Sequence, residues 1–151
     1  MNVAYFLIPK GNVAYLYEDY TLRQGLERMR AHGYTAIPVL TRDNRYAGTV
    51  SEGDFLWYLV GGRLSTDPVQ IQLPEGREAQ VADIMRPDRN PPVSITATIE
   101  ELLARAENQN FIPVIDDRQA FTGIVARRDI IHYYTSHTAE TAAVGTKKSL
   151  G

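Results

Sequence analysis

Arg127, Arg128 and Asp129 stand side by side where an apolar run gives way to a helical pattern, and this trio is the strongest chemical feature of the chain. The free N–H groups of a helix start carry partial positive charge, so two guanidinium groups there could grip phosphate oxygens through forked, charge-assisted contacts. The competing reading is a solvated pair of surface charges. Asp129 could accept hydrogen bonds from hydroxyl groups or simply cap the helix. Ser51 and Asp54 occupy the matching place earlier in the chain and carry the same two readings. Tyr34 could stack on a flat ligand or cover a core edge. His32 falls at a helix end, where it suits terminal carbonyls, and His132 and His137 lie on or after the last helix. None of the three has a metal-ligand partner at useful spacing, so no metal site is expected. The chain has no Cys, no glycine-rich phosphate loop and no base beside Ser51. Catalysis on nucleotides or phosphoesters is therefore not expected, and the catalytic residue set is empty.

The 151 residues, 44% hydrophobic and 23% charged, suffice for one compact domain or two small halves sharing a core. Sixteen Lys and Arg against eighteen Asp and Glu give a net charge of -2, so no bulk positive field exists to hold a nucleic-acid backbone. Any anion site must be local. No apolar run approaches the roughly 20 residues of a membrane span, and the start MNVAYFLIPKG lacks the marks of a secretory leader. A cytoplasmic protein without membrane association is the expectation.

The elements that must position these residues are written twice. Ala36 to Leu59 reads AIPVLTRDNRYAGTVSEGDFLWYL, and Phe111 to Tyr134 reads FIPVIDDRQAFTGIVARRDIIHYY. Pro38 matches Pro113, Val39 matches Val114, Gly48 matches Gly123, Val50 matches Val125 and Asp54 matches Asp129, always 75 apart. Upstream, Thr21 matches Thr98 at 77, and VAYFLIP from Val3 matches VADIMRP from Val81 at 78. The second copy has thus lost two residues between its first helix and the next strand, which should alter the pocket wall there. Val13 to Leu16 and Val93 to Thr96 are short β-compatible runs. Leu22, Leu26 and Met29 share one helical face, as do Ile99, Leu102, Leu103 and Ala106. Thr21 and Thr98 suit N-caps, the latter with Glu101 completing a capping box, and Gly33 suits a helix stop. Continuous apolarity at Ala36–Leu40 and Ile112–Ile115 predicts strands covered by helices.

Each unit therefore reads β-α-β-β-α, and the fold class is α/β (α+β), with two repeats in one pseudo-twofold module. The expected partition is 1–60 for repeat one with its lead-in, 61–80 for a linker, 81–136 for repeat two and 137–151 for a flexible tail. A short extended segment at Val69-Gln70-Ile71 is expected in the linker. The helix after Asp54 is apolar almost all round at Phe55, Leu56, Trp57, Tyr58 and Leu59. With Ile130, Ile131, Tyr133 and Tyr134 it forms a candidate dimer surface.

An apolar-Pro-Val strand, a polar turn, then Gly-apolar-apolar-(Ser/Thr)-x-x-Asp opening a helix, twice after a V-x-x-I-M-x-P lead-in, resembles a pair of cystathionine-β-synthase (CBS) domains over residues 3 to 135. VAYL at 13, GYTAIPVL at 33, FTGI at 121 and the Arg127-Arg128 pair are similar to CBS-pair proteins of Gram-positive bacteria that bind cyclic di-AMP. The resemblance implies two non-equivalent clefts, each joining the first strands of one repeat to the Ser/Thr-x-x-Asp turn of the other. The first would use Asn12, Ala14, Tyr34, Thr35, Ala36, Ile37 and Pro38 with Ala126, Arg127, Arg128 and Asp129. The second, weaker cleft would use Ser51, Asp54, Asn110, Phe111 and Ile112. In the first, Tyr34 to Ile37 would offer adenine a flat apolar slot, Asp129 would take ribose hydroxyls and the arginines would take phosphate.

Two positions depart from the family pattern. Ala126 replaces the expected Ser/Thr of the first cleft, and in the second no basic residue adjoins Ser51 and Asp54 in sequence while Phe111 replaces a small residue. The second cleft is expected to be too tight or too acidic for phosphate. One adenine nucleotide per protomer is expected, cyclic di-AMP ahead of AMP, ADP or ATP, with no cofactor. The resemblance also implies a homodimer that signals to an unidentified regulated protein; a ligand-free dimerisation module is the third reading.

Overall fold

The computed structural model describes residues 2–64 and 78–145. The expected extended segment at Val69–Ile71 lies outside them. In chain order the elements are α1 (Val3–Phe6), β1 (Ile8–Pro9), a 3-10 turn at Lys10–Asn12, β2 (Leu16–Tyr17), α2 (Leu22–His32), β3 (Ala36–Leu40), β4 (Tyr46–Ser51) and α3 (Glu52–Leu64). The second copy follows with α4 (Val81–Ile84), β5 (Val93–Ser94), α5 (Ile99–Ala106), β6 (Phe111–Ile115), β7 (Phe121–Ala126) and α6 (Arg127–Gly145). The fold is the mixed α+β class read from the repeat.

Local chemistry sets the element ends. Thr21 Oγ1 accepts from Gln24 N while Gln24 Oε1 accepts from Thr21 N, a reciprocal capping box at α2. At α5, Thr98 Oγ1 accepts from Glu101 N, the hydroxyl half of the box expected there. Gly33 ends α2 in the left-handed region at φ 68, where no Cβ opposes it. α6 continues past His137, where a flexible tail was expected to start. Ala139, Glu140, Ala142 and Ala143 are good helix formers and extend it to Gly145.

Two sheets result. One has the order β2-β3-β4 and the other β1-β7-β6-β5. In both, the two long strands pair antiparallel in matching register, Val39 opposite Gly48 and Val114 opposite Gly123, with the irregularity at the same step. The short strand pairs parallel only with the last residues, Leu16 with Val39 and Val93 with Val114. Ala36, Ile37 and Pro38 therefore have β4 on one side and an unladdered edge on the other. Pro38 is tolerated because the N–H it lacks would face that edge.

The lead-ins are exchanged between the halves. Val3 and Phe6 of α1 sit in the core built on Leu102, Ile112, Val114 and Val125 of the second repeat. Val81 and Ile84 of α4 sit in the first repeat's core with Leu16, Ile37, Val39, Val50 and Phe55. β1 pairs with β7, Ile8 opposite Ile124, and Arg86 bridges to Thr49 of β4 in the equivalent place. The crossing chains explain both matched glycines. A Cβ on Gly123 (φ 156) would lie 2.1 Å from Ile8 O, and one on Gly48 would lie 2.9 Å from Pro87 Cα.

The helix faces differ from their sequence reading in one register. Gly25 and Met29 of α2 are buried while Leu26 is exposed. Val81 lies 3.0 Å from where a Gly25 Cβ would stand, so α4 approaches the α2 backbone and the buried face turns toward Gly25. In α5, Leu102 is fully buried and Leu103 lies at the exposed edge. Across the pseudo-twofold, the Tyr46 and Phe121 rings stack at 6.4 Å, and Phe121 N donates to Asn44 O at 2.8 Å.

Candidate functional site

Between the two sheets opens a cleft of about 600 Å³. Asn12, Val13 and Ala14 form one wall, and Tyr34, Thr35, Ala36, Ile37 and Pro38, the unladdered edge of β3, form another. Ala126, Arg127 and Arg128 at the start of α6 close the far side. Every residue expected for the first cleft lines this cavity except Asp129, which sits half-buried in the next turn position of α6. Asn110 and Phe111, assigned by sequence to the second cleft, line the first as well. They precede the Arg127 end of α6, whose N–H donates to Asn110 O at 2.9 Å. Ile112 points into the second core, fully buried. Ile8 and Ile124, not singled out from sequence, also line the cavity and arrive together through the β1–β7 pair; Ile131, read from sequence as part of a dimer surface, lines it too.

The floor is apolar and the rim is polar, as small-molecule sites require. Ala14 and Ile37 are buried, and Ala36 is a small half-buried residue that leaves space beside the strand. Tyr34 is 45% exposed, so it does not serve as a core cover; its ring stacks at 5.8 Å on His32 and stands at the lip. Arg127 Nε donates to Gln109 O at 2.9 Å, which fixes its guanidinium against the second repeat. Arg128 is exposed and, among the described residues, makes no hydrogen bond or ion pair. Asp129 likewise has no partner among the described residues. The site thus holds one anchored cation and one free cation beside an apolar slot, with the Asp129 carboxylate on the next position of α6, outside the lining.

The pseudo-symmetric place in the other half is built differently. Asp54 Oδ2 accepts from Ser51 N at 2.8 Å and Asp54 N donates to Ser51 Oγ at 3.3 Å, a reciprocal cap on α3. Arg89 then grips the same carboxylate with both terminal nitrogens, at 2.7 and 3.0 Å, and Arg86 Nε lies at 3.5 Å. No basic residue adjoins Asp54 along the chain, but the fold brings two arginines to it. The two arginines reach it from the segment after α4, Arg89 across 35 positions of sequence and Arg86 across 32, distances at which local spacing is silent. Excess acidity is therefore not what distinguishes this place. The two-residue loss also has its consequence here: Gln109, which matches Tyr34, is buried and donates to the carbonyls of Pro91 and Phe111 at 3.2 and 3.3 Å.

Among the described residues no group of His, Cys, Asp or Glu is placed to hold a metal ion, and no helix is long and apolar enough to cross a membrane. Two helices expose apolar side chains, Leu56, Trp57 and Leu59 on α3 and Ile131 and Tyr134 on α6, while Phe55 and Ile130 are buried.

A sequence model of the CBS domain matches residues 7–61 and 81–136. The chain is 27% identical over 136 residues to the cyclic di-AMP receptor B of Bacillus subtilis, covering 90% of this chain and 88% of that protein. Its fold is similar to a crystal structure of CbpB in complex with c-di-AMP (TM-score 0.76, 22% identity, 95% and 90% of the two chains). It is also similar to Listeria monocytogenes CbpB with c-di-AMP (0.72, 23%, 91% and 97%) and to CBSX2 with AMP (0.69, 19%, 91% and 98%).

Proposed function

The chain belongs to the CBS domain family as a tandem pair, and from that premise we propose that it is a non-enzymatic cytoplasmic regulator. It takes an adenine nucleotide, cyclic di-AMP first, in the open cleft and passes the bound state to a partner protein. The observation that carries this reading is the pairing of an apolar slot with a free cation: Ala36 and Ile37 beside an unladdered strand edge, facing Arg128. One adenine lies in the slot, where the open edge of β3 offers backbone groups to its nitrogens. The phosphates meet Arg127 and Arg128, and the unpaired Asp129 accepts ribose hydroxyls. A cavity of this volume is in the range of drug-sized and cofactor sites, and Tyr34 and Ile131 on the lip give a second adenine an apolar face. Cyclic di-AMP uses both faces; AMP uses one. The relatives described with c-di-AMP support the cyclic dinucleotide as ligand, and the similar CBSX2 structure with AMP supports an adenine nucleotide more broadly.

The output is assigned to the open helix face. Leu56, Trp57 and Leu59 of α3 and Tyr134 of α6 are exposed apolar side chains, and the reading sets a second copy of the chain against them as a homodimer. Ile131 belongs both to the cleft lining and to that face, so a ligand touching it is felt where the partner docks. The regulated protein reads the difference, through a ligand that favours one state over another.

Calorimetric titration with cyclic di-AMP, AMP and ATP in parallel tests the reading. Tightest binding of the cyclic dinucleotide, at one per protomer, is expected. Preference for AMP or ATP would make the protein an energy sensor, and silence with all three would leave a ligand-free dimerisation module.

A further inference from the structure

The long helix that opens each repeat is written on one frame with opposite charge. Thr21 and Thr98 cap α2 and α5 with the same hydroxyl bond to the third residue on, and Leu16 and Val93 pair with Val39 and Val114, so the two helices correspond at an offset of 77. In that register Leu26 matches Leu103, and each is an apolar side chain left in solvent, at 37% and 36% exposure. Three residues before and four after, on the same helical face, stand Arg23 and Arg30 in α2 but Glu100 and Glu107 in α5, all exposed. Glu107 keeps helical backbone angles at the C-cap, so the match holds to the end of the face.

Local helix energetics explains only half of this pattern. Arg30 in the last turn of α2 and Glu100 in the first turn of α5 suit their helix dipoles, whereas Arg23 near the start of α2 and Glu107 at the end of α5 oppose theirs. Arg23 reaches its own Glu27 at 3.4 Å, but with side chains 87% and 69% exposed the pair is worth little. The two faces are complementary to each other, leucine to leucine and arginine to glutamate, and their exposure shows that one chain does not bring them together. We infer that a second copy of the chain docks head to tail, α2 of one protomer on α5 of the other, with Leu26 against the partner's Leu103 and Arg23 and Arg30 facing the partner's Glu100 and Glu107. α2 and α5 are related by the pseudo-twofold, so one true twofold axis makes this contact twice and closes the dimer. A head-to-head dimer would set arginine on arginine at one end and glutamate on glutamate at the other. α2 also packs beside α3, where a Cβ on Gly25 would stand 3.2 Å from Phe55 Cζ, so it adjoins the helix whose Leu56, Trp57 and Leu59 the homodimer reading covers.

The inference rests on that homodimer reading, and the experiment separates the two. Sedimentation equilibrium gives dimer dissociation constants for wild type, for Arg23→Glu with Arg30→Glu, for Glu100→Arg with Glu107→Arg, and for the fourfold swap that combines them. Each double variant should weaken the dimer about tenfold or more, and the fourfold swap should recover it. In a head-to-head dimer either double variant only exchanges one like-charge contact for another. A wild-type dimer indifferent to the double variants, or weakened with no recovery in the fourfold swap, overturns the inference and leaves the homodimer standing; a monomeric wild type overturns both. Where circular dichroism shows that a variant does not fold, the wild type decides by salt: its dimer should weaken as sodium chloride rises, and an unchanged or tighter dimer overturns the inference. Orientation has its own readout, because the chain has no Cys. A short bismaleimide should join a mixture of Leu26→Cys and Leu103→Cys proteins far better than L26C alone, and equal or preferential joining of L26C to itself overturns the head-to-tail contact.

Discussion

Truncating Arg128 isolates the phosphate contact better than any other change in the open cleft. Its side chain is exposed and has no protein partner among the described residues, so Arg128→Ala removes a ligand contact and little else. Hydrogen bonds to charged groups contribute about 1.5–3 kcal/mol, and 1.4 kcal/mol is about tenfold in affinity, so binding of cyclic di-AMP should weaken by roughly 10- to 100-fold. Stability should change by less than about 0.5 kcal/mol, as for most exposed substitutions. Arg127→Ala should lose affinity similarly and also cost about 1 kcal/mol of folding stability, because Gln109 O loses the Nε donor at 2.9 Å. Calorimetry at fixed ionic strength gives the affinities and urea unfolding gives the stabilities. Asp54→Ala is the counterpart: it strips the partner from Arg89 and should lower stability while leaving first-cleft affinity near wild type. Binding by R128A within about twofold of wild type, together with loss of binding in D54A, would refute the choice of cleft and the roles built on it.

Three further outcomes follow from particular contacts. Gly123→Ala should destabilise by several kcal/mol in urea unfolding, since its Cβ would meet Ile8 O at 2.1 Å at a φ of 156 that side-chain-bearing residues avoid; Gly11→Ala, with open space, should be near neutral. Burial pushes the Tyr46 hydroxyl up to about 12 from an ordinary value of 10.0. A pKa raised in the folded state gives stability that is whole below about 10 and lost as pH rises toward 12, so Tyr46→Phe should flatten that alkaline limb in a pH series of melting temperatures. Trp57→Glu on the open helix face, where Trp57 is 68% exposed, should convert the expected dimer to monomer in sedimentation velocity while circular dichroism is unchanged.

What the sequence revealed was what repeats. Pro38 and Pro113, Gly48 and Gly123, and Asp54 and Asp129 share one offset because strand pairing and helix start are rigidly linked in space, so any slip would turn side chains to the wrong face. The walls of the open cleft were legible for the same reason, since they hang on those strands. The exchange of lead-ins was not legible. Val3 and Val81 are equally apolar and both precede short turns, and which core each enters depends on chain crossings that periodicity does not encode. Leu26 was read as core because it has the right spacing, and Gly25 was passed over because it has no side chain; a helix packed at backbone distance buries the glycine. Arg86 and Arg89 drew no reading from sequence, because only the fold brings them to Asp54.

The departures from symmetry lie around the two helix starts and share one logic. At α3 the cap is complete, Ser51 supplies its hydroxyl, and Arg89 ties the incoming chain to the helix through Asp54. At α6 the hydroxyl is absent at Ala126, and Asp129 is left without a partner among the described residues. A nucleotide in the open cleft would span the same three elements that Arg89 and Asp54 join in the other half: the turn after the lead-in, the edge of the first long strand, and the start of the last helix. The ligand then acts as the missing brace, and because it binds the folded form, its concentration sets how firmly that half is held, by about 2.7 kcal/mol at a hundred times its dissociation constant. On the proposed reading, one half of the molecule is fixed by its own side chains and the other would report on a small molecule, through α6, whose Ile131 both lines the cleft and is exposed.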